Sequence, residues 1–322
     1  MLPRARGAAS GAVLQVLDGA PPEAVDPVAG PDGPDDEQLA LWLLYALHHR
    51  ELAEVDEVLE WDPSLLGLRR RLEGPWEQRL RDRFVGPAPP GDVGEELFEL
   101  TAAFEGASLS SYVQRTATLD QVLELLRHRS LYHLREFDPT AWVVPRLPAR
   151  PKAALLELAF DEYGGGDPRR LHSHLFARGL RAVGLDETPG TYVGEAPTEV
   201  LEQNNAMSLF GLHRRWRGAA VGHLAAFEAT SSLPSRRIAL GLRRLGLPEE
   251  IAGYYDEHVM ADAVHDQLAC RLVCGSLVAE EPDLRDDVFL GAFTCLDLEA
   301  RYAARMLGDW QGEQRADPGV PA

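Results

Sequence analysis

Apolar residues recur at helical spacing along most of this 322-residue chain. A half-buried strand needs sustained alternation with a period of two. No segment supplies it, and residues 191–194 are the weakest exception. That excludes a sheet-based core and predicts an all-α fold, a bundle of many helices. Caps and prolines mark the helix starts. Asp35, Asp36 and Glu37 open an apolar run through Leu39, Leu43, Leu44 and Leu47, with acidic side chains where the helix dipole favours them. Pro63 starts a helix over Leu65, Leu66, Leu68 and Leu72, Thr118 caps one over residues 122–126, and Pro151 starts one reaching Tyr163. Asp167 and Pro168 restart the chain after three glycines, and Pro197 opens a helix toward Arg215. Residues 218–227 read as helix ending at Ser231 and Ser232, with Pro234 beginning the next one. Pro248 opens a long helix through His258, Asp262 and His265, and the last helix ends near Leu307.

Four regions follow, with no internal repeat. Residues 1–35 are rich in Gly, Pro, Ala and Asp without periodicity, which predicts a disordered N-terminal arm. Residues 36–105 form an N-terminal helical region expected to pack on the bundle or to supply a homodimer interface. Residues 106–312 form the main domain, and 313–322 a flexible tail.

With 32 Lys and Arg against 51 Asp and Glu, the net charge is −19. Such a surface repels phosphate backbones and anionic lipid, so nucleic acid and membrane surfaces are not expected partners. The longest apolar run, residues 39–47, is nine residues, against the ~20 that a membrane helix needs. Arg4 and Arg6 before a weakly apolar 11–17 make a poor secretory signal, so the expected location is the cytoplasm. Cys270, Cys274 and Cys295 are too few and too odd in number for a disulfide framework.

The chemistry concentrates at His258, Asp262 and His265. At ~100° per residue, offsets of four and seven return to one helix face, over two turns. Two imidazoles and a carboxylate on a core-facing stripe are costly unless paired or bound to metal. Such donors suit iron, manganese or zinc. Glu162 at a helix end, His172 in the next helix and Glu136 one helix earlier are candidates to complete a site. The Glu-x-x-His pair of ferritin-type sites is absent. On one unbroken helix Glu162 and His172 would stand ~15 Å apart, so the glycines at 164–166 must let the chain turn back.

These pieces make the sequence similar to the haem-oxygenase-like diiron oxidases, the iron-containing redox enzyme family. The resemblance rests on Glu136 with Asp138-Pro139, on Asp161-Glu162-Tyr163-Gly164 with His172, on Ser208-Leu209-Phe210-Gly211 through Glu228, and on Tyr255-Asp256-Glu257-His258 through His265. It spans roughly residues 36–310 and implies a haem-oxygenase-like multi-helix bundle with additional N-terminal helices. It implies Glu136, Glu162, His172, Glu228, His258, Asp262 and His265 as ligands and catalytic residues around two Fe(II)/Fe(III) ions. The four carboxylates supply −4 against the +4 of two ferrous ions, which lowers the cost of enclosing the cluster.

The implied function is a nonhaem diiron oxidase or oxygenase. It would activate O2 to oxidise a small amine, amino acid or carboxylate, by N-oxygenation, desaturation or oxidative C–C cleavage, with room for an external reductant. Two alternatives share the fold: an iron-binding protein without turnover, and a cofactor-free enzyme of the thiaminase-like or pyrroloquinoline-quinone-synthase-like type. Outside the ligand set, Arg214, Arg215 and Arg217 around Trp216 are candidates to clamp a carboxylate, and Tyr163, Tyr254 and Tyr255 to donate to ligating carboxylates. Glu228, just ahead of Thr230, Ser231, Ser232 and Pro234, is expected on the segment of the site that moves most readily.

Overall fold

The computed structural model describes residues 2–24, 30–84, 88 and 90–316; the side chains of residues 24, 260–264 and 313–316 lie outside the described residues. Among the described residues there are helices and no strand, and the fold is all-α. The helices are α1 (Ala8–Leu17), α2 (Pro34–Ala46), α3 (Pro63–Arg83), α4 (Val93–Ala103), α5 (Leu109–Arg115), α6 (Leu119–His133), α7 (Asp138–Ala141), α8 (Ala149–Glu162), α9 (His172–Ala182), α10 (Thr198–Leu212), α11 (Arg217–Arg244), α12 (Glu249–Gln267), α13 (Ser276–Glu280) and α14 (Arg285–Ala316). A π-helical stretch, Leu268–Gly275, joins α12 to α13. No helix among the described residues is long and apolar enough to cross a membrane.

Local sequence explains several starts. The Asp62 carboxylate accepts from Ser64 N and Leu65 N at the head of α3. Thr118 and Gln121 form a reciprocal capping box at α6. Helix α2 is buried on every side from Asp36 to Ala46, as an all-round apolar helix must be. It lies between α1, α3 and α10.

The arm expected over residues 1–35 is corrected by α1. Ala9, Val13, Val16 and Leu17 are buried against α2. The α1 N-terminus is capped from a distance, because the Asp36 carboxylate accepts from Ala9 N, Ser10 N and the Ser10 hydroxyl. A cap supplied more than twenty residues downstream leaves no local signature. Arg6 adds hydrogen bonds to the carbonyls of Val193, Gly194 and Ala196. The tail is corrected in part too, since α14 continues to Ala316.

Helix α11 is the centre of the bundle, packed on α5, α12 and α14. It crosses α14 so closely that a Cβ on Gly222 would lie 1.9 Å from the Val288 carbonyl oxygen. The expected break before Pro234 does not occur, and α11 runs unbroken through it. An interior proline costs ~3 kcal/mol, but packing against three helices offsets it. Thr230 Oγ1 donates back to the Ala226 carbonyl at 2.7 Å and Ser231 Oγ to Glu228 O at 3.1 Å. Glu228 therefore sits on a continuous central helix, not on a mobile end.

Candidate metal centre

Glu136 follows the last turn of α6 with its N–H on the Tyr132 carbonyl at 2.7 Å. Its φ is +35°, the single positive value at a non-glycine among the described residues. Such a conformation costs about 1–3 kcal/mol and persists only where its surroundings enforce it. The preceding Arg135 is buried and fixed on both sides, by Glu51 Oε1 at 3.3 Å and by Asn204 O and Oδ1 at 3.2 and 3.0 Å.

Glu162 is the last residue of α8, and His172 the first of α9. Gly164, Gly165 and Gly166 between them all have positive φ. A Cβ on Gly164 would meet Arg170 C and Leu171 N at 2.7 Å, so only glycine fits this reversal. The turn the sequence required is present, and it brings His172 Nδ1 to 3.1 Å from Glu162 Oε2. Glu228 projects from α11, and His258 and His265 from successive turns of α12.

These six side chains are buried and converge as two groups. Glu136, Glu162, His172 and His258 form one; Glu162, Glu228 and His265 form the other, with the ligand atoms of each group within 4.8 Å of one another. Glu162 belongs to both. His258 and His265, which the sequence placed on one helix face, thus serve different groups. Asp262 is in α12 between them, and its side chain lies outside the described residues.

The donor chemistry fits metal. Glu136 Oε2, His172 Nδ1 and His265 Nδ1 are buried without a hydrogen bond, a costly state for polar atoms that no cation satisfies. Neighbouring groups aim the imidazoles. His258 Nδ1–H donates to the Tyr254 carbonyl at 2.9 Å, which turns Nε2 toward Glu136, 3.0 Å away. His265 Nε2–H reaches Asp161 Oδ2 at 3.3 Å, which leaves Nδ1 facing Glu162 and Glu228 at 3.6 and 3.5 Å. The Tyr254 hydroxyl donates to Glu136 Oε1 at 2.7 Å, and His133 Nδ1 lies 2.7 Å from the same hydroxyl. Such partners commonly fix the tautomer and direction of metal-binding groups.

Electrostatics carry the same signature. Burial would push the His258 imidazole down, but Glu136 and Glu162 outweigh it and hold it up to about 10. His265 is held up to about 9 against burial by Glu228 and Glu162. Burial raises Glu228, and the nearby Glu162 charge adds to the effect. Three carboxylates thus face three imidazoles and favour positive charge on them.

Tyr254 was one of three tyrosine candidates, and the structure places it on Glu136. Tyr163 instead donates to Asp138 at 2.9 Å, and the Tyr255 hydroxyl is buried without a partner. His133 and Asp161 were missed. His133 sits three residues before Glu136, the reverse order of the pair sought, and Asp161 is adjacent to Glu162. Of the arginines around Trp216, Arg215 pairs with Glu77 and Arg217 with Glu281.

Comparison with known proteins agrees with this geometry. Crystal structures at 2.00 Å and 1.35 Å of a CADD-like protein of unknown function from Nostoc punctiforme PCC 73102 are similar in fold, each with a TM-score of 0.52. Identity is 15% and 14%, over 67% and 71% of this chain and 96% and 97% of theirs. No curated protein matches. The family model described as iron-containing redox enzyme matches residues 123–300, more than half of the chain and the stretch that carries all six converging side chains. The chain belongs to the iron-containing redox enzyme family.

Proposed function

We propose that this protein is a nonhaem diiron oxidase or oxygenase that uses O2 to oxidise a small amine, amino acid or carboxylate. The observation that carries the reading is the sharing of Glu162 by two buried ligand groups. One carboxylate common to two groups is the expected arrangement for a pair of ions rather than one. Glu136, Glu162, His172 and His258 would hold the first iron, and Glu162, Glu228 and His265 the second. Asp262, which lies between His258 and His265 in the sequence, is the proposed seventh ligand. When bound, the irons supply O2 binding and the electron transfer that oxidises the substrate.

The chain supplies direction and dryness. His258 keeps its proton on Nδ1, through Tyr254 O, and offers Nε2; His265 keeps its proton on Nε2, through Asp161, and offers Nδ1. The Tyr254 hydroxyl holds Glu136 Oε1 and leaves Oε2 free for metal. Tyr132, Tyr254 and Tyr255 lie near the cluster, and burial together with the nearby carboxylates keeps these phenols neutral.

Anaerobic reconstitution followed by elemental analysis and an oxygen electrode tests the reading. The expected result is two irons per chain and oxygen uptake that depends on an organic substrate. One zinc with no iron taken up would overturn it. Two irons without substrate-dependent uptake would favour an iron-binding protein without turnover.

A further inference from the structure

A cavity of about 290 Å³ lies between α5, α6, α10, α11 and α14. Tyr132 connects it to the centre: its ring lines the cavity, and its phenol feels the charges of Glu136, Glu162 and Glu228. His133, whose Nδ1 lies 3.6 Å from Glu136 Oε1, lines the cavity from the same side. The volume is at the lower end of small-molecule pockets. Most of the wall is apolar, with Phe104, Leu125, Met207, Phe227, Ile238 and Leu296 among its residues.

Against this apolar wall stands a half-buried ion pair. Arg129 makes a bidentate pair with Glu299, Nη1 to Oε2 at 2.9 Å and Nη2 to Oε1. Gln203 Nε2 donates to Glu299 Oε2 at 2.7 Å. The pair is not sealed: the Glu299 side chain is 44% exposed and the Arg129 side chain 17%, and both line the cavity. A buried pair is weak evidence for stability, since well-packed apolar residues commonly serve as well. Its unused hydrogen-bonding capacity is more informative. A guanidinium carries five N–H donors; Glu299 takes two of Arg129's, and no described residue takes the others. Glu299 has four lone-pair sites and accepts three hydrogen bonds. The wall therefore offers several donors beside one spare acceptor. That pattern is complementary to a carboxylate with one cationic donor next to it.

Charge points the same way. The Arg129–Glu299 pair is neutral, so a lone ammonium or a lone carboxylate would bring an unmatched charge against a mostly apolar wall. A zwitterion would not. We infer that this cavity binds a zwitterionic α-amino acid with an apolar side chain, its carboxylate on Arg129 and its ammonium on Glu299. This rests on the proposed oxidase reading for the fate of the ligand, not for its binding.

Calorimetric titration of the full-length protein with the standard L-amino acids, metal-free and with iron loaded anaerobically, tests the inference. At least one apolar member should bind with a dissociation constant below about 1 mM. Its decarboxylated amine and its deaminated acid should each bind at least about tenfold more weakly. The double variant Arg129→Met/Glu299→Met removes both charges together, which is expected to preserve folding. It should lose at least about tenfold in amino-acid affinity while iron titration still gives the wild-type stoichiometry. The inference is overturned if no apolar amino acid binds, if the amine or the acid binds as well as the amino acid, or if the double variant binds like the wild type. Failure of amino-acid binding in a protein that holds two irons overturns the inference alone. Amino-acid binding by a protein that takes up no iron overturns the diiron reading alone.

Discussion

The N-terminal layer and the centre both bury carboxylates, but they complete them differently. In the layer three such groups meet matching donors. Asp36 caps α1, Glu37 meets Arg79, and Glu73 takes Tyr45, Arg69 and His213. In the centre Glu136, Glu162 and Glu228 face imidazoles that are themselves candidate ligands, and several polar atoms are left open. The layer's polar groups join helices, whereas the centre's could hold a cation. The same residue types thus carry opposite consequences for stability, set by whether the partner is built into the chain.

The most severe test of that contrast is Glu162→Ala. Both ligand groups lose a member, so iron affinity should fall by more than the roughly 10–100-fold that removing a ligand's hydrogen-bond partner costs. The metal-free protein should keep its melting temperature, because the substitution relieves repulsion. Iron titration beside a metal-free melt reads both, and a large loss of metal-free stability would erase the distinction between the regions. Next is Asp36→Ala, which removes the distant cap of α1 and should cost about 2–4 kcal/mol. Iron stoichiometry should be retained, as chemical denaturation and elemental analysis would show. Loss of iron together with stability would mean that the layer is part of the centre.

The smallest effect concerns acid. Burial holds the His49 imidazole down to about 2, with the Arg135 and His48 charges adding to the effect. A base whose pKa is lower folded than unfolded binds its proton first in the unfolded chain, so the stability it confers at neutral pH falls away below pH ~6.5. At pH 5 the loss is about 2 kcal/mol. His49→Gln should flatten the acid side of the metal-free stability profile by about that amount, and an unchanged profile would show that the acid response originates elsewhere.

Much of this was legible in the sequence because the relevant signals are local. Helical period, the Thr118 capping box and the Pro63 start need only neighbouring residues. His258 and His265 share a helix face, and the glycines before His172 declare their turn. What failed was long-range. The cap on α1 comes from Asp36, so no reading of residues 1–20 could find it. The passage of α11 through Pro234 depends on α5, α12 and α14, and the prolyl signal was locally sound but outweighed by packing. Glu228 came only from family resemblance, because an isolated glutamate has no spacing to betray it. The Arg129–Glu299 pair joins α6 to α14 across the cavity, and no periodicity relates its members.

The glycine reversal after Glu162 also bears on how the centre assembles. Glu162 and His172 are ten residues apart in the chain, whereas Glu136 and His258 are separated by 122. Loop closure grows as (3/2)RT ln n, so the short pair meets at about 2 kcal/mol lower entropic cost. An unfolded chain therefore keeps a carboxylate–imidazole pair ready to meet, with the Gly164 turn at its apex. Iron held by that pair in the unfolded state subtracts from the stabilisation that native binding confers. The turn that completes the centre thereby sets an upper bound on how far iron can protect the fold.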